Sequence, residues 1–239
     1  MKYLFRLLVI FAFVSNSMSL NAATISIYAS HATTLYSAWD DDYGYIGNYA
    51  SGRNSTLDVY YESYYTADGL LGFDLTSLYS LLGGGDSMMI NSVSLTIGET
   101  SDSYGGNPFW VMGTTYDNWD EASITYDDFY AAAPFGSLLN MASSYFLSTI
   151  DGYQPAVALD LDPGIQTSYY DDGYLSLLIA AGDWTFTSPS EMYGVDSAYE
   201  PLLEIDYTIT STVPAPGSLL TLLFGLITLI AVKNQSRQH

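Results

Sequence analysis

The sequence predicts an all-β protein built as a single β-sandwich. Three observations predict it: apolar residues recur at period two in segment after segment, glycine- and aspartate-rich turns separate those segments, and no helical stripe exceeds one or two turns. The chain of 239 residues contains no cysteine, so neither a disulfide framework nor a thiolate site is open to it, and stability must come from a packed core.

The first segment is set apart from that fold. MKYLFR carries Lys2 and Arg6, LLVIFAFV is an apolar stretch too short for a stable membrane span, and NSMSLNAA supplies small residues for cleavage near Ala22 or Ala23. A secretory signal peptide over residues 1–23 explains this better than a buried N-terminal helix, because both basic residues lie on the side an export signal requires. Residues 24–212 are then expected to form one exported domain.

Within the domain, TLDVYYE places Leu57, Val59 and Tyr61 on one face, and SVSLTIG does the same with Val93, Leu95 and Ile97. AVALDLD presents Val157, Leu159 and Leu161, and LLEIDYTI presents Leu203, Ile205, Tyr207 and Ile209. These are half-buried strands. GLLGFDL, FWVMGTTY and GYLSLLIAA are apolar throughout, as central strands with a partly covered second face should be. Turns are expected at Gly83–Asp86, at Gly105–Pro108 and at Asp171-Asp172-Gly173, and a short helix at PGIQTSYY, where Pro163 suits a first turn.

Charge is distributed in an unusual way. Of the five basic residues, Lys2, Arg6, Lys233 and Arg237 lie in the terminal segments, which leaves Arg53 alone against all 26 acidic residues, a formal charge of −25 on the domain. Nucleic acids and anionic membrane surfaces are bound through Lys and Arg, so neither is an expected partner.

The ordered series LLGFDLTSL, INSVSLTI, DNWDEASITYDD, VALDLDPGIQ, GYLSLLIAAG and YEPLLEIDY resembles the landmarks of the DNRLRE-type domain, a secreted bacterial β-sandwich, from about Thr24 to Tyr207. The resemblance implies a jelly-roll-like, non-catalytic sandwich, some of whose relatives are classed as carbohydrate-binding modules. Family members usually carry a basic residue before the phenylalanine-aspartate strand, whereas Ala67-Asp68-Gly69-Leu70 stands there in this chain.

Residues 213–239 form the remaining segment. VPAPGS is followed by an uncharged apolar run, Gly217 to Val232, and a tip bearing Lys233 and Arg237. As a helix the run would extend roughly 24 Å, short of the ~30 Å hydrocarbon layer. The three parts resemble a PEP-CTERM sorting signal, with Pro214 and Pro216 as its two prolines and Ala215 in place of its glutamate. The resemblance implies an exosortase as partner, transient anchoring in the inner membrane, and delivery to the surface or matrix of an exopolysaccharide-producing bacterium. The competing reading is a plain anchor oriented by its basic tip.

Catalytic motifs are sparse. The histidines are His31 and His239, the second in the tail, and the sequence has no phosphate-binding glycine loop and no zinc spacing. A glycoside hydrolase could draw two carboxylates from so acidic a chain, and a polysaccharide lyase would depend on Arg53 to neutralise a uronate, so these are the alternative functions.

Trp119, Asp120 and Glu121 are expected to be structural, the indole packing the sandwich and the carboxylates capping a turn before Ile124 and Tyr126. Asp40, Asp41 and Asp42 offer hard oxygen ligands for calcium, although consecutive acids lack the alternating spacing of a calcium loop and suit a solvated turn better. Asp160 and Asp162 read as surface or turn-capping groups. Aromatic rings with hydroxyl rims suit sugar faces, and Trp39, Tyr43, Tyr45, Tyr64 and Tyr65 are the carbohydrate-contact candidates, against the alternative that such tyrosines divide between core and wet surface.

Processing of the tail is testable directly. Intact-mass measurement of surface-extracted protein is expected to find a species lacking everything from about Val213 onward. A species still ending in His239 would identify a permanent anchor instead.

Overall fold

The computed structural model describes residues 19–40, 44–53, 55–61, 65–84, 86–100, 108–134, 138–146, 152–159, 173–181 and 190–211. Along them run β1 (Ser19–Tyr28), β2 (His31–Asp40), β3 (Gly44–Ala50), β4 (Thr56–Tyr61), β5 (Tyr65–Asp74), α1 (Thr76–Tyr79), β6 (Asp86–Thr96), β7 (Gly98–Glu99) and β8 (Pro108–Thr114). There follow α2 (Tyr126–Ala132), β9 (Leu139–Phe146), β10 (Gly152–Tyr153), β11 (Val157–Leu159), β12 (Tyr174–Ala181), β13 (Ser190–Tyr193) and β14 (Leu202–Ser211). The fold is all-β, in curled antiparallel sheets. Its main compact unit comprises Ala23–Leu81 and Ile90–Tyr207, and every side-chain contact described below lies within it.

One sheet has the order β1-β14-β6-β11; the larger follows β10-β7-β13-β4-β5-β12-β8-β9, with β2 beside β5 and β3 beside β2. Alternation marks the half-buried strands as expected. Leu57 and Val59 are buried on β4, Val93 and Leu95 on β6 with Ile97 just beyond it, and Leu203, Ile205 and Tyr207 on β14.

The apolar runs are strands covered on both faces. On β5 every residue from Ala67 to Phe73 is buried, and on β12 every residue from Leu175 to Ala180. β5 pairs along one side with β2 and along the other with β4 and then β12, while β12 pairs in turn with β8. Leu70, Leu178 and Met112 therefore form one cross-strand row. Over that row lie Ile124, Phe129 and Ala133, with Tyr116, Trp119, Tyr126 and Tyr130 packed around them.

That cover depends on α2, a helix the sequence analysis did not anticipate. Thr125 is its N-cap: the hydroxyl accepts the Asp128 N–H at 3.1 Å and donates to the Asp128 carboxylate at 2.6 Å, so aspartate at the third helical position is bonded to the capping hydroxyl, where a capping box would bond glutamate to the N-cap N–H. Asp127 and Asp128 in the first turn also complement the helix dipole. Of the expected turns, Gly83–Asp86 closes through Asp86 N to Gly83 O at 3.0 Å, and Gly173 adopts φ 91°. The turn at 105–107 and the helix candidate at PGIQTSYY lie outside the described residues.

β1 begins at Ser19, upstream of the expected cleavage near Ala22 or Ala23, and β14 ends at Ser211. Residues 1–18 and the tail, with Pro214, Pro216 and the run from Gly217 to Val232, lie outside the described residues. Among the described residues no helix is long and apolar enough to cross a membrane.

On the covered face of β5 lies a carboxyl group. Asp68 is 3% exposed, and its Oδ2 accepts the Tyr130 hydroxyl at 2.7 Å. Burial pushes the Asp68 carboxyl up to about 7, an effect only partly offset by the Tyr130 bond. In the unfolded chain an aspartate titrates near ~3.9, so between these values the folded protein holds the extra proton and loses stability as pH rises. The contribution is fully present below the unfolded value and is lost as pH passes about 7. The loss should reach roughly 4 kcal/mol at about 1.4 kcal/mol per pH unit. Asp68→Asn is expected to be more stable than the wild type at pH 8 and nearly equal at pH 4, as read by the difference in denaturation midpoints across that range. A constant difference between the two proteins would refute the assignment.

Candidate functional site

The chemically richest cluster forms where β2 begins. Backbone pairing sets His31 opposite Gly72, and the Ser30 N–H donates to the Gly72 carbonyl at 2.8 Å. The Ser30 Oγ lies 2.9 Å from His31 Nδ1 and 3.2 Å from Gly72 O. A serine beside an imidazole is the elementary unit of nucleophilic catalysis, yet here the hydroxyl proton also has a main-chain acceptor in the Gly72 carbonyl, and the imidazole tautomer sets which of Ser30 Oγ and His31 Nδ1 donates to the other.

Around this pair the sole cation of the domain makes three connections. Arg53 Nη1 donates to the Ser30 carbonyl at 2.9 Å and lies 3.5 Å from Glu121 Oε1, while its Nε donates to Asp196 Oδ2 at 2.7 Å. The guanidinium is held above its ordinary value, chiefly by the Asp196 bond; burial opposes this, and the Glu121 and Asp196 charges add to the rise. Glu121 Oε1 also accepts the Ala32 N–H at 2.7 Å. Arg53 is half exposed, so the pairs have modest energies, but they join four segments that are distant in sequence.

Trp119 roofs the cluster. A Cβ on Gly72 would stand 3.1 Å from Trp119 Cζ2 and 3.3 Å from His31 Cβ, so the indole packs closely over the open face of a glycine and would have to give by a few tenths of an ångström to admit a side chain there. Its ring meets His31 edge to face at 5.8 Å, and its Nε1–H donates to Ser176 Oγ at 2.9 Å. Ser176 is itself the β12 partner of Gly72. Trp119 thus has the packing role expected of it. Asp120 Oδ1 likewise caps the following turn, accepting the Ala122 N–H at 3.0 Å and the Ser123 hydroxyl at 3.2 Å. Glu121 departs from the expectation: it reaches β2 and Arg53, because its carboxylate finds a main-chain donor and a cation there.

Asp74 completes the surroundings. The Thr76 hydroxyl and N–H hold its carboxyl below the usual range, with a smaller contribution from His31. Its Oδ1 accepts the Thr76 N–H at 2.9 Å and so supports the start of α1, leaving the orientation of the imidazole to Ser30 and Trp119.

The carbohydrate candidates lie elsewhere on the same sheet. Strand register pairs Trp39 with Tyr45, Asp40 with Gly44, and Ala38 with Tyr65, which brings Trp39, Asp40, Tyr45 and Tyr65 to one end of the β2–β3 hairpin and β5. Tyr65 is 44% exposed. Asp41, Asp42, Tyr43 and Tyr64 lie outside the described residues, as do Asp160 and Asp162. Among the described residues, no group of three or more His, Asp or Glu is placed to hold a metal ion.

Trp119, Glu121 and Arg53 stand out separately in the sequence, whereas Ser30 does not. The available signal was composition: one cation and one imidazole in an acidic domain have few carboxylates within reach that are not repelled by others. Compared with known proteins, the chain matches no family model and no curated protein.

Replacing Trp119 with Ala is expected to lower stability by ~3 kcal/mol, the low end for large core truncations, because the ring is partly buried against the core. Trp119→Phe should retain most of the packing and lose about 1 kcal/mol with the Ser176 bond. Chemical denaturation of both variants checks this. An unchanged midpoint for Trp119→Ala would make the ring a surface platform.

Proposed function

We propose that this chain is an exported, non-catalytic surface or matrix protein associated with exopolysaccharide, built on a jelly-roll-like sandwich of the DNRLRE type and delivered by an exosortase acting on its PEP-CTERM-like tail. The observation that carries the glycan assignment is the register that gathers Trp39, Tyr45 and Tyr65 at one sheet end, with Tyr65 exposed. Flat rings with polar rims match the C–H faces and hydroxyl edges of sugars.

The non-catalytic assignment draws on Arg53. A lyase needs a cation to neutralise a uronate, and this guanidinium is already engaged by Asp196, Glu121 and a main-chain carbonyl. The Ser30–His31 hydrogen bond is the feature that would favour a hydrolase, and product analysis separates the two. New reducing ends or unsaturated sugars mean an enzyme; retention without cleavage means a binder.

Charge sets the expected ligand preference. With a net charge of −25 on the domain, acidic polymers are repelled within a Debye length of ~8 to 10 Å, whereas neutral glycans carry no such penalty. Calcium would bridge protein carboxylates to polymer carboxylates, with Asp40, Asp41 and Asp42 the foremost contributors. Affinity electrophoresis should therefore show neutral polymers retained with little salt dependence and uronic-acid polymers retained only with calcium. Strong retention by an acidic polymer in chelator would refute the electrostatic account, and retention by nothing would leave a purely structural matrix role.

A further inference from the structure

A second aromatic surface lies away from the hairpin end, at residues the sequence analysis did not single out. Four tyrosines converge there from four segments: Tyr28 at the end of β1, Tyr153 on β10, Tyr193 at the end of β13, and Tyr199 in the turn that follows. The Tyr153 and Tyr199 rings meet edge to face, with centroids 5.2 Å apart at 77°, and Tyr199 lies 5.1 Å from Tyr193 at 55°. The Tyr153 hydroxyl donates to the Glu200 carbonyl at 3.3 Å. Tyr28 lies near enough to Tyr153 to act on it electrostatically.

The backbone is shaped to hold these rings. A Cβ on Gly98 would come within 2.5 Å of Tyr199 Cβ, 2.8 Å of Tyr199 O and 2.9 Å of Tyr193 Cδ2, so the base of the Tyr199 side chain and the edge of the Tyr193 ring are seated on a glycine of β7, while the far end of the Tyr199 ring lies over Gly152, where a Cβ would stand 3.6 Å from its Cζ. Tyr153 and Gly98 are themselves cross-strand partners. The turn carrying Tyr199 is fixed by Asp196 N to Glu200 Oε1 at 2.9 Å and Ser197 Oγ to Gly194 O at 2.7 Å, with Asp196 at φ 60°. Ala29 N bonds to Pro201 O at 2.9 Å and ties the end of β1 to the same turn. The rings are thus held before any ligand arrives, while Tyr28 and Tyr153 keep 54% and 45% of their surface exposed.

We propose that Tyr28, Tyr153, Tyr193 and Tyr199 form a binding platform for a neutral polysaccharide chain, which lies across the exposed rings and directs its hydroxyls to the phenol groups and to the neighbouring carboxylates. Flat, rigid, amphipathic rings supply contact area at low entropic cost, and each Tyr hydroxyl can both donate and accept. The Tyr153 hydroxyl is held above its ordinary value, mainly by burial and then by Tyr28, Glu200 and Tyr199, so it keeps the proton it donates to the Glu200 carbonyl and offers a sugar hydroxyl its acceptor lone pairs. A neutral ligand is specified by the charges present. Glu200 and Asp196 belong to this turn, and Arg53, the one Lys or Arg among the described residues, is bound to Asp196. The proposal rests on the glycan-associated reading above and assigns it a second surface.

The test is affinity electrophoresis of the full exported protein in gels containing hydroxyethylcellulose or dextran, with sodium alginate as the acidic comparison. Tyr153→Ala and Tyr28→Ala are expected to weaken retention by the neutral polymer about tenfold, as loss of a central aromatic contact does. Tyr153→Phe should retain most of it, and Tyr174→Ala, an exposed tyrosine on β12, should bind as the wild type. Thermal melts identify any variant that fails to fold; Tyr28, the more exposed ring, then carries the test. A tyrosine difference spectrum on adding a neutral oligosaccharide should appear in the wild type and diminish in Tyr28→Ala. Wild-type retention by both alanine variants would overturn the platform, and loss of retention on Tyr65→Ala instead would keep the glycan reading at the hairpin end. A wild type retained by no neutral polymer would overturn both.

Discussion

A strand buried on both faces constrains most of this domain. β5 has no wet side between Ala67 and Phe73, so each group it carries must be satisfied by neighbours. Toward the larger residues of the opposite face point Leu71 and Phe73; toward the cover point Asp68, Leu70 and Gly72, and each meets a different partner. Asp68 meets a phenol, Leu70 meets the Met112–Leu178 row, and Gly72 meets an indole. The 116–133 segment, with its capped helix, exists in this form because the central strands would otherwise present an apolar sheet face to water.

The single cation acts at the rim of that assembly. In a domain where nearly every charge repels its neighbours, Arg53 supplies the one centre about which carboxylates can gather, and the segments it gathers are those that present chemistry. It bonds the carbonyl of Ser30, two residues from Tyr28, and it bonds Asp196, three residues from Tyr199. The strand end that carries Tyr28 and the turn that carries Tyr199 are therefore joined by an ion pair whose own worth is small. Position, more than energy, is what the pair contributes.

Much of the fold is legible in the sequence, and the reasons differ by strand. β4, β6 and β14 are readable because one face is wet and the other dry, so hydropathy alone registers the pleat. β5, β8 and β12 announce burial by apolar runs, but which strand lies beside which depends on pairings across most of the chain, as with Leu70 and Leu178. The helix α2 escaped because Tyr126–Ala132 has only two turns, and its cap uses aspartate where glutamate is the stronger signal. The burial of Asp68 is not legible at all, since an acid beside a glycine reads as surface until a hydroxyl 62 residues away is placed against it. The tyrosine platform escaped for a related reason. Tyr28, Tyr153, Tyr193 and Tyr199 are scattered one by one, whereas the hairpin candidates are dense in sequence.

The seating of Trp119 on Gly72 links two positions 47 residues apart into one unit of inheritance. A methyl group at 72 intrudes on the indole, while a smaller residue at 119 uncovers Ser176 and leaves a gap above the strand. Neither site is free to drift alone, so descendants of this sequence can explore its turns and tyrosine-bearing edges far more readily than this pair. An alignment deep enough to measure joint variation should find glycine at 72 and a broad ring at 119 kept or exchanged together.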